Sequence, residues 1–181
     1  MGKDVKALIR QAKLPERTVQ VCLRADLVAE MEQAERELAE AQREISGSLA
    51  AGSRVREIAE RIEALRRDML DHTVEFRLRA MPRPVWTAFL AEHPPRKTES
   101  GEVDERDKWI GVNTDTFFPA LVRRSVVEPE LDDDDWDALD QSLTSRQFDD
   151  LSDAAWSLNR REVDIPFSRA ASRILQSSEP D

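Results

Sequence analysis

Between Asp26 and His72 apolar residues recur at intervals of three and four, and that spacing constrains the chain more than any other feature. Leu27, Met31, Ala34, Leu38, Ala41 and Ile45 form one series; Val55, Ile58, Ile62, Leu65, Met69 and His72 form a second. A series with this period, its other positions filled by Glu, Arg and Gln, is a coiled-coil seam along one face of a helix. The stretch from Ser46 to Ser53 contains Gly47 and Gly52, which end one helix, and a serine able to cap the next. So short a connection turns the second helix back on the first. It predicts an antiparallel αα-hairpin about 30 Å long at a rise of 1.5 Å per residue.

Two segments with a different period border this hairpin. Thr18–Arg24 and Thr73–Arg79 both alternate apolar and polar residues, the pattern of a half-buried strand. A hairpin that returns to its starting point sets these strands side by side and antiparallel. Val19, Val21, Leu23 and Val74, Phe76, Leu78 would then face one core. Two strands alone make a marginal sheet, so helices from the C-terminal half, or a partner's strand, must complete it.

The remaining chain divides by its breakers. Residues 1–17 read as a basic flexible leader, forming a frayed helix on Val5, Leu8 and Ile9 or staying disordered until bound. Residues 18–79 are the strand–hairpin–strand unit, 80–175 a helical domain packed on the sheet, and 176–181 a free tail. Pro84 suits a first helical turn, after which Val85, Trp86, Phe89 and Leu90 make an amphipathic helix that His93 and Pro94-Pro95 end. Arg96 to Asp107 is charged, with Val103 as its one apolar anchor, and reads as a mobile loop. Asn113 to Thr116 offer caps to a helix bearing Phe117, Phe118, Leu121 and Val122, with Pro119 expected in its first turn. Asp132–Asp135 precede Trp136, Leu139 and Leu143, where acids match the positive end of a helix dipole. Thr144-Ser145-Arg146-Gln147 is a capping box opening a helix with Phe148, Leu151, Ala155 and Leu158 on one face. A weak final helix carries Ala170, Ala171, Ile174 and Leu175. The expected class is mainly α with a small β element: a coiled-coil hairpin between two short antiparallel strands, then a bundle of four to five short helices.

Composition narrows what such a protein does. The 181 residues carry a net charge of −10, spread unevenly. Residues 1–24 hold six Lys or Arg against two acids, while Thr98–Asp153 holds seventeen Asp or Glu. An acidic body repels phosphates and argues against nucleic acid, and a basic leader beside it is compatible with self-association into a homo-oligomer. No apolar run is long enough for a membrane span and no signal-peptide core is present, which points to an intracellular protein. The lone Cys22 excludes an internal disulfide and reads as a packing residue in preference to a reactive thiol. His72 and His93 lack spaced Cys or His partners for zinc, and the aspartate run lacks the glycine turn and spacing of a calcium loop. There is no phosphate-binding glycine loop and no nucleophile elbow. We therefore expect no enzyme, no cofactor and no metal. Trp86, Trp109, Trp136 and Trp156 sit at helical spacings suited to core packing.

Four strings taken in order carry a resemblance: TVEFRLRAMPRPVW from Thr73, AEHPPR from Ala91, VNTDTFFPALV from Val112 and EPELDDDDW from Glu128. Over roughly Thr73–Arg161 the chain resembles the tail assembly chaperones of long-tailed, siphovirus-like actinobacterial bacteriophages and prophages, with the hairpin as an elaboration. The resemblance implies a cytoplasmic, mainly helical protein that binds the tape measure protein, helps recruit tail tube subunits and is missing from the finished virion. Partner-binding candidates are Trp86, Phe89, His93, Pro94, Pro95 and Arg96, together with Phe117, Phe118 and Leu121. The bland alternative places those aromatics in the core. Competing functions are a structural tail or connector protein that oligomerises through its arm and, more weakly, an enzyme or metal protein built from scattered acids.

Overall fold

The computed structural model describes residues 4–43 and 49–160. The connection through Gly47, the seam residue Ile45, the final helix around Ile174 and the tail lie outside the described residues. Helices α2 (Leu27–Arg43) and α3 (Leu49–Asp71) pack on each other as the expected arm. Leu27, Ala34, Ala41 and Ile58 are buried, while Met31, Leu38, Val55, Ile62, Leu65 and Met69 are half-buried, so the seam is the contact. Alanine at two inward positions lets the helix backbones approach closely, and Glu37 pairs across the arm with Arg61 at 3.3 Å. Two details differ from the expectation. Helix α3 starts at Leu49, so Gly52 and Ser53 lie inside it instead of in the connection. His72 does not close the seam: the chain has already left α3, and the exposed ring puts Nδ1 2.8 Å from the Asp68 carbonyl.

At the root of the arm, β1 (Glu16–Cys22) pairs antiparallel with β2 (Thr73–Arg79), running from Glu16↔Arg79 to Cys22↔Thr73. The first strand thus starts and ends two residues earlier than its alternation suggested. Leu23 is 38% exposed and leaves the core, because past Cys22 the chain bends away into α2. A third strand, β3 (Val126–Glu128), pairs with β2 and makes β2 the centre of the order β1-β2-β3. Sequence reading missed it because three residues are too few to display a period. Arg77, on the central strand, bridges both neighbours, reaching Glu16 at 2.9 Å and pairing with Glu128. With Arg79 at 2.6 Å from the other oxygen, these guanidiniums hold the Glu16 carboxyl below its usual range.

The C-terminal helices cover one face of this sheet. They are α4 (Arg83–Glu92), α5 (Glu105–Lys108), α6 (Thr114–Ser125), α7 (Asp133–Ser142) and α8 (Ser145–Arg160); the leader forms α1 (Val5–Arg10). Phe76 and Leu78 of β2 join Trp86, Phe89, Phe117, Leu121, Leu151 and Ala155 in one core. Helices α6, α7 and α8 begin at their expected caps, whereas α4 follows Pro82 with no side-chain cap and α5 falls where a loop was expected. Asp132 and Asp135 form a reciprocal capping box at α7, and Thr144 and Gln147 form another at α8. Pro119 is the sixth residue of α6, past the first turn, so that helix forgoes the hydrogen bond its missing N–H would have made.

Helix α8 is tied to the sheet at both ends. Gln147 Nε2 donates to the Cys22 carbonyl at 2.7 Å, and Asn159 Oδ1 accepts from the Met81 amide at 2.8 Å. Gln147 therefore serves as cap and tether together. Gln147→Ala is expected to lower stability by about 1–2 kcal/mol, the loss of a cap plus a hydrogen bond. Gln147→Glu keeps the cap acceptor but turns a carboxylate oxygen toward the Cys22 carbonyl, so urea denaturation should place it below wild type although the cap is intact. Equal midpoints for all three proteins would contradict the dual role.

Candidate protein-binding face

The expected binding residues divide into two layers. Trp86, Phe89, Phe117 and Leu121 are buried in the core, and their side chains offer no surface to a partner. Phe117 lies at the centre of this layer, with ring centroids 5.2 Å from Phe89, 6.0 Å from Trp86 and 5.9 Å from Trp156. His93, Pro95, Arg96 and Phe118 are half-buried, and Pro94 is exposed. The His93 ring packs on Phe89 and Phe117, its Nδ1 lies 3.0 Å from Thr116 Oγ1, and its carbonyl accepts from the Asn113 amide at 3.0 Å. The strap His93–Arg96 is thereby fixed to the start of α6.

Arg96 then anchors what was expected to be a mobile loop. Asp107 has no exposed surface, and its carboxylate accepts from the Arg96 amide at 2.8 Å, from Nε at 2.9 Å and from Nη2 at 2.6 Å. The Thr114 amide and hydroxyl complete the cage at 3.2 and 3.0 Å. Asp115 pairs with the outer side of the same guanidinium. Arg96 holds the Asp107 carboxyl far below the usual carboxylate range, and its own proton is held more tightly in return. Between these two residues the chain doubles back, with Lys97 bridged to Val103 and the Thr98 amide donating to Glu102 at 2.8 Å. A charged stretch that hydropathy scores as solvated is thus pinned by a buried carboxylate whose acceptors are filled by five donors.

The same knot presents a tryptophan to solvent. Helix α5 ends at Trp109, which is 95% exposed, whereas Trp86 and Trp136 are buried and Trp156 is half-buried. The expectation that all four tryptophans fill the core fails at this one. Gly111, at φ 77°, turns the chain and donates its amide to the Asp107 carbonyl at 2.7 Å, which sends Val112 inward and leaves Trp109 outside. That glycine two residues after a tryptophan was the available sequence signal. A rigidly mounted, solvent-facing indole is the feature enriched at the energetic centres of protein interfaces.

A second surface lies between α6 and α8. Phe118 and Pro119 of α6 and Phe148 of α8 line an open groove of about 480 Å³, which continues past Leu143 between α7 and α8. Asp115, Asp149 and Asp153 lie along it, and Asp140 at its far end. No group of three or more His, Cys, Asp or Glu among the described residues is placed to hold a metal ion. No described helix is long and apolar enough to cross a membrane. Comparison with protein-family models, curated proteins and solved structures finds no match.

Proposed function

We propose that the chain is a tail assembly chaperone of a long-tailed actinobacterial bacteriophage or prophage. In this reading it is a non-catalytic binding protein of the host cytoplasm that holds the tape measure protein, helps recruit tail tube subunits and leaves before the virion is complete. The observation that carries the proposal is the ordered set of strings between Thr73 and Trp136. The fold is compatible with it: those strings supply β2, the His93–Arg96 strap, α6 and the start of α7, so they outline the body and omit the arm. A tape measure is a long helical chain with apolar faces that aggregates when bare. Trp109, carried at the end of α5 beside the Arg96–Asp107 knot, offers such a chain an exposed aromatic anchor.

Co-expression with the tape measure protein of the same phage tests the reading. The tape measure should be soluble and co-purify with the wild-type chain. Trp109→Ala should weaken that complex by at least about tenfold, the effect of losing an interface hot spot, while leaving the fold unchanged because the ring is outside the core. A tape measure equally insoluble with and without this chain would refute the holding role. A second reading, a structural tail or connector protein, is favoured by the projecting arm, where Val28 and Leu70 are 43% and 55% exposed. Mass spectrometry of purified particles separates the two, since a structural component is retained and a chaperone is absent.

A further inference from the structure

The leader and the α6–α8 groove are complementary in apolar character and in charge. Helix α1 carries Val5, Leu8 and Ile9 on one stripe, exposed by 62%, 52% and 67%, with Lys6 and Arg10 one turn apart beside it and Lys13 just beyond. Exposure of that much apolar surface on so short an element is costly unless something covers it. The groove offers the opposite surface: aromatic and proline side chains at its base, aspartates at its edge. Among the described residues Asp149 and Asp153 have no cationic partner, whereas Asp115 is paired with Arg96 and Asp140 with Arg123. Arg146, the one base along the groove, is engaged by Asp150 at 2.8 Å.

We infer that the basic amphipathic leader of one copy docks in the acid-edged apolar groove between α6 and α8 of a second copy. A second copy is favoured over the same chain by the position of the leader's exit. Strand β1 runs opposite to α8: Cys22 meets Gln147, and Arg17 lies beside Ser157 and Arg160. The leader therefore leaves the sheet at the C-terminal end of α8, about 18 Å along that helix from Phe148. Its last residues, Ala12, Lys13 and Leu14, line a hollow with Arg77 and Arg79 of β2 and no residue of α8. In the single chain its apolar stripe stays in solvent. Two copies exchanging leaders make the contact twice about a two-fold axis, which doubles a burial too small to act alone. The contact uses neither Trp109 nor the arm, so it stands apart from tape measure binding.

Charge reversal on each side tests it. By sedimentation, the wild-type full chain should show a mass that rises with concentration and falls as salt is added. Lys6→Glu with Arg10→Glu, and separately Asp149→Arg with Asp153→Arg, should each weaken self-association by at least about tenfold. All four sites are at exposed positions or at the groove edge, and circular dichroism should confirm an unchanged fold. An equimolar mixture of the two variants should associate again, because the reversed leader then meets the reversed groove. A wild-type chain that stays monomeric at every concentration would overturn the inference. So would association that survives either reversal, which would place the contact on the arm or elsewhere, or a mixture that fails to recover. The Trp109→Ala chain should self-associate normally even if it no longer holds a tape measure.

Discussion

Phe117→Ala is expected to lower the free energy of unfolding by about 3–5 kcal/mol, the range for removing a fully buried phenylalanine. The ring has no exposed surface and is packed edge-on or tilted against Trp86, Phe89, His93, Phe118 and Trp156. These neighbours come from α4, its C-cap, α6 and α8, with His93 tied to the start of α6, α6 capped by Asn113 and α8 capped and tethered by Gln147. They cannot all move inward to refill the space, so both the transfer loss and the cavity loss should be felt. Domains of this size are stable by about 5–15 kcal/mol, so the variant would sit near the edge of folding. Phe118→Ala is the control: that ring is half-buried at the groove and should cost much less. Urea denaturation of both proteins checks this, with similar slopes and well-separated midpoints expected. Similar midpoints would show that the aromatic cluster is not the centre of the core.

Asp107→Asn should produce the second large loss, a fall in melting temperature on the order of 10 °C, because it breaks a buried ion pair and leaves Arg96 with only its outer carboxylate, Asp115. The amide can accept at one oxygen only, and its NH₂ would face the guanidinium. Hydrogen exchange at the Thr98 and Asp104 amides, bonded to Glu102 and Arg96, should quicken as the hairpin loosens. The pair also sets a pH dependence. Arg96 lowers the folded pKa of Asp107, so its contribution is complete above the unfolded value of about 3.9. As pH falls below that value the unfolded chain takes up a proton that the folded chain refuses, and stability declines. Asp107→Asn should flatten this acid limb. Arg96→Met alone should be as harmful as Asp107→Asn or worse, since it leaves a buried carboxylate unpaired. Combined with Asp107→Leu it should recover part of the loss. An unchanged acid limb in Asp107→Asn would mean the carboxylate is not held as described.

The arm and its strands were legible because each repeats a short rule many times. Leu27 to Ala41 and Val55 to Met69 state a helical period over several turns, and Thr73 to Leu78 state the strand period. Capping residues were legible for a related reason. Asp132 with Asp135, and Thr144 with Gln147, satisfy backbone amides three residues away and need nothing from the rest of the fold. The candidate site was legible only in outline. The strings around His93–Arg96 and Phe117–Leu121 fall on the strap and on α6, and four of the nine proposed binding residues there are buried in the core.

By itself, then, the sequence determined the elements whose hydrogen bonds and packing are local or periodic: two seam helices, two of the three strands among the described residues and several helix starts. The tertiary structure decided what depends on meeting residues distant along the chain. Asp107 is an anchor only because Arg96 and Thr114 reach it, Gln147 is a tether only because Cys22 lies opposite, and Val126–Glu128 is a strand only because β2 is there to pair with. Trp109 faces solvent for the same reason. Its neighbours are fixed by a carboxylate and a glycine turn, and no periodicity in the chain encodes which way an indole points once its backbone is held from outside.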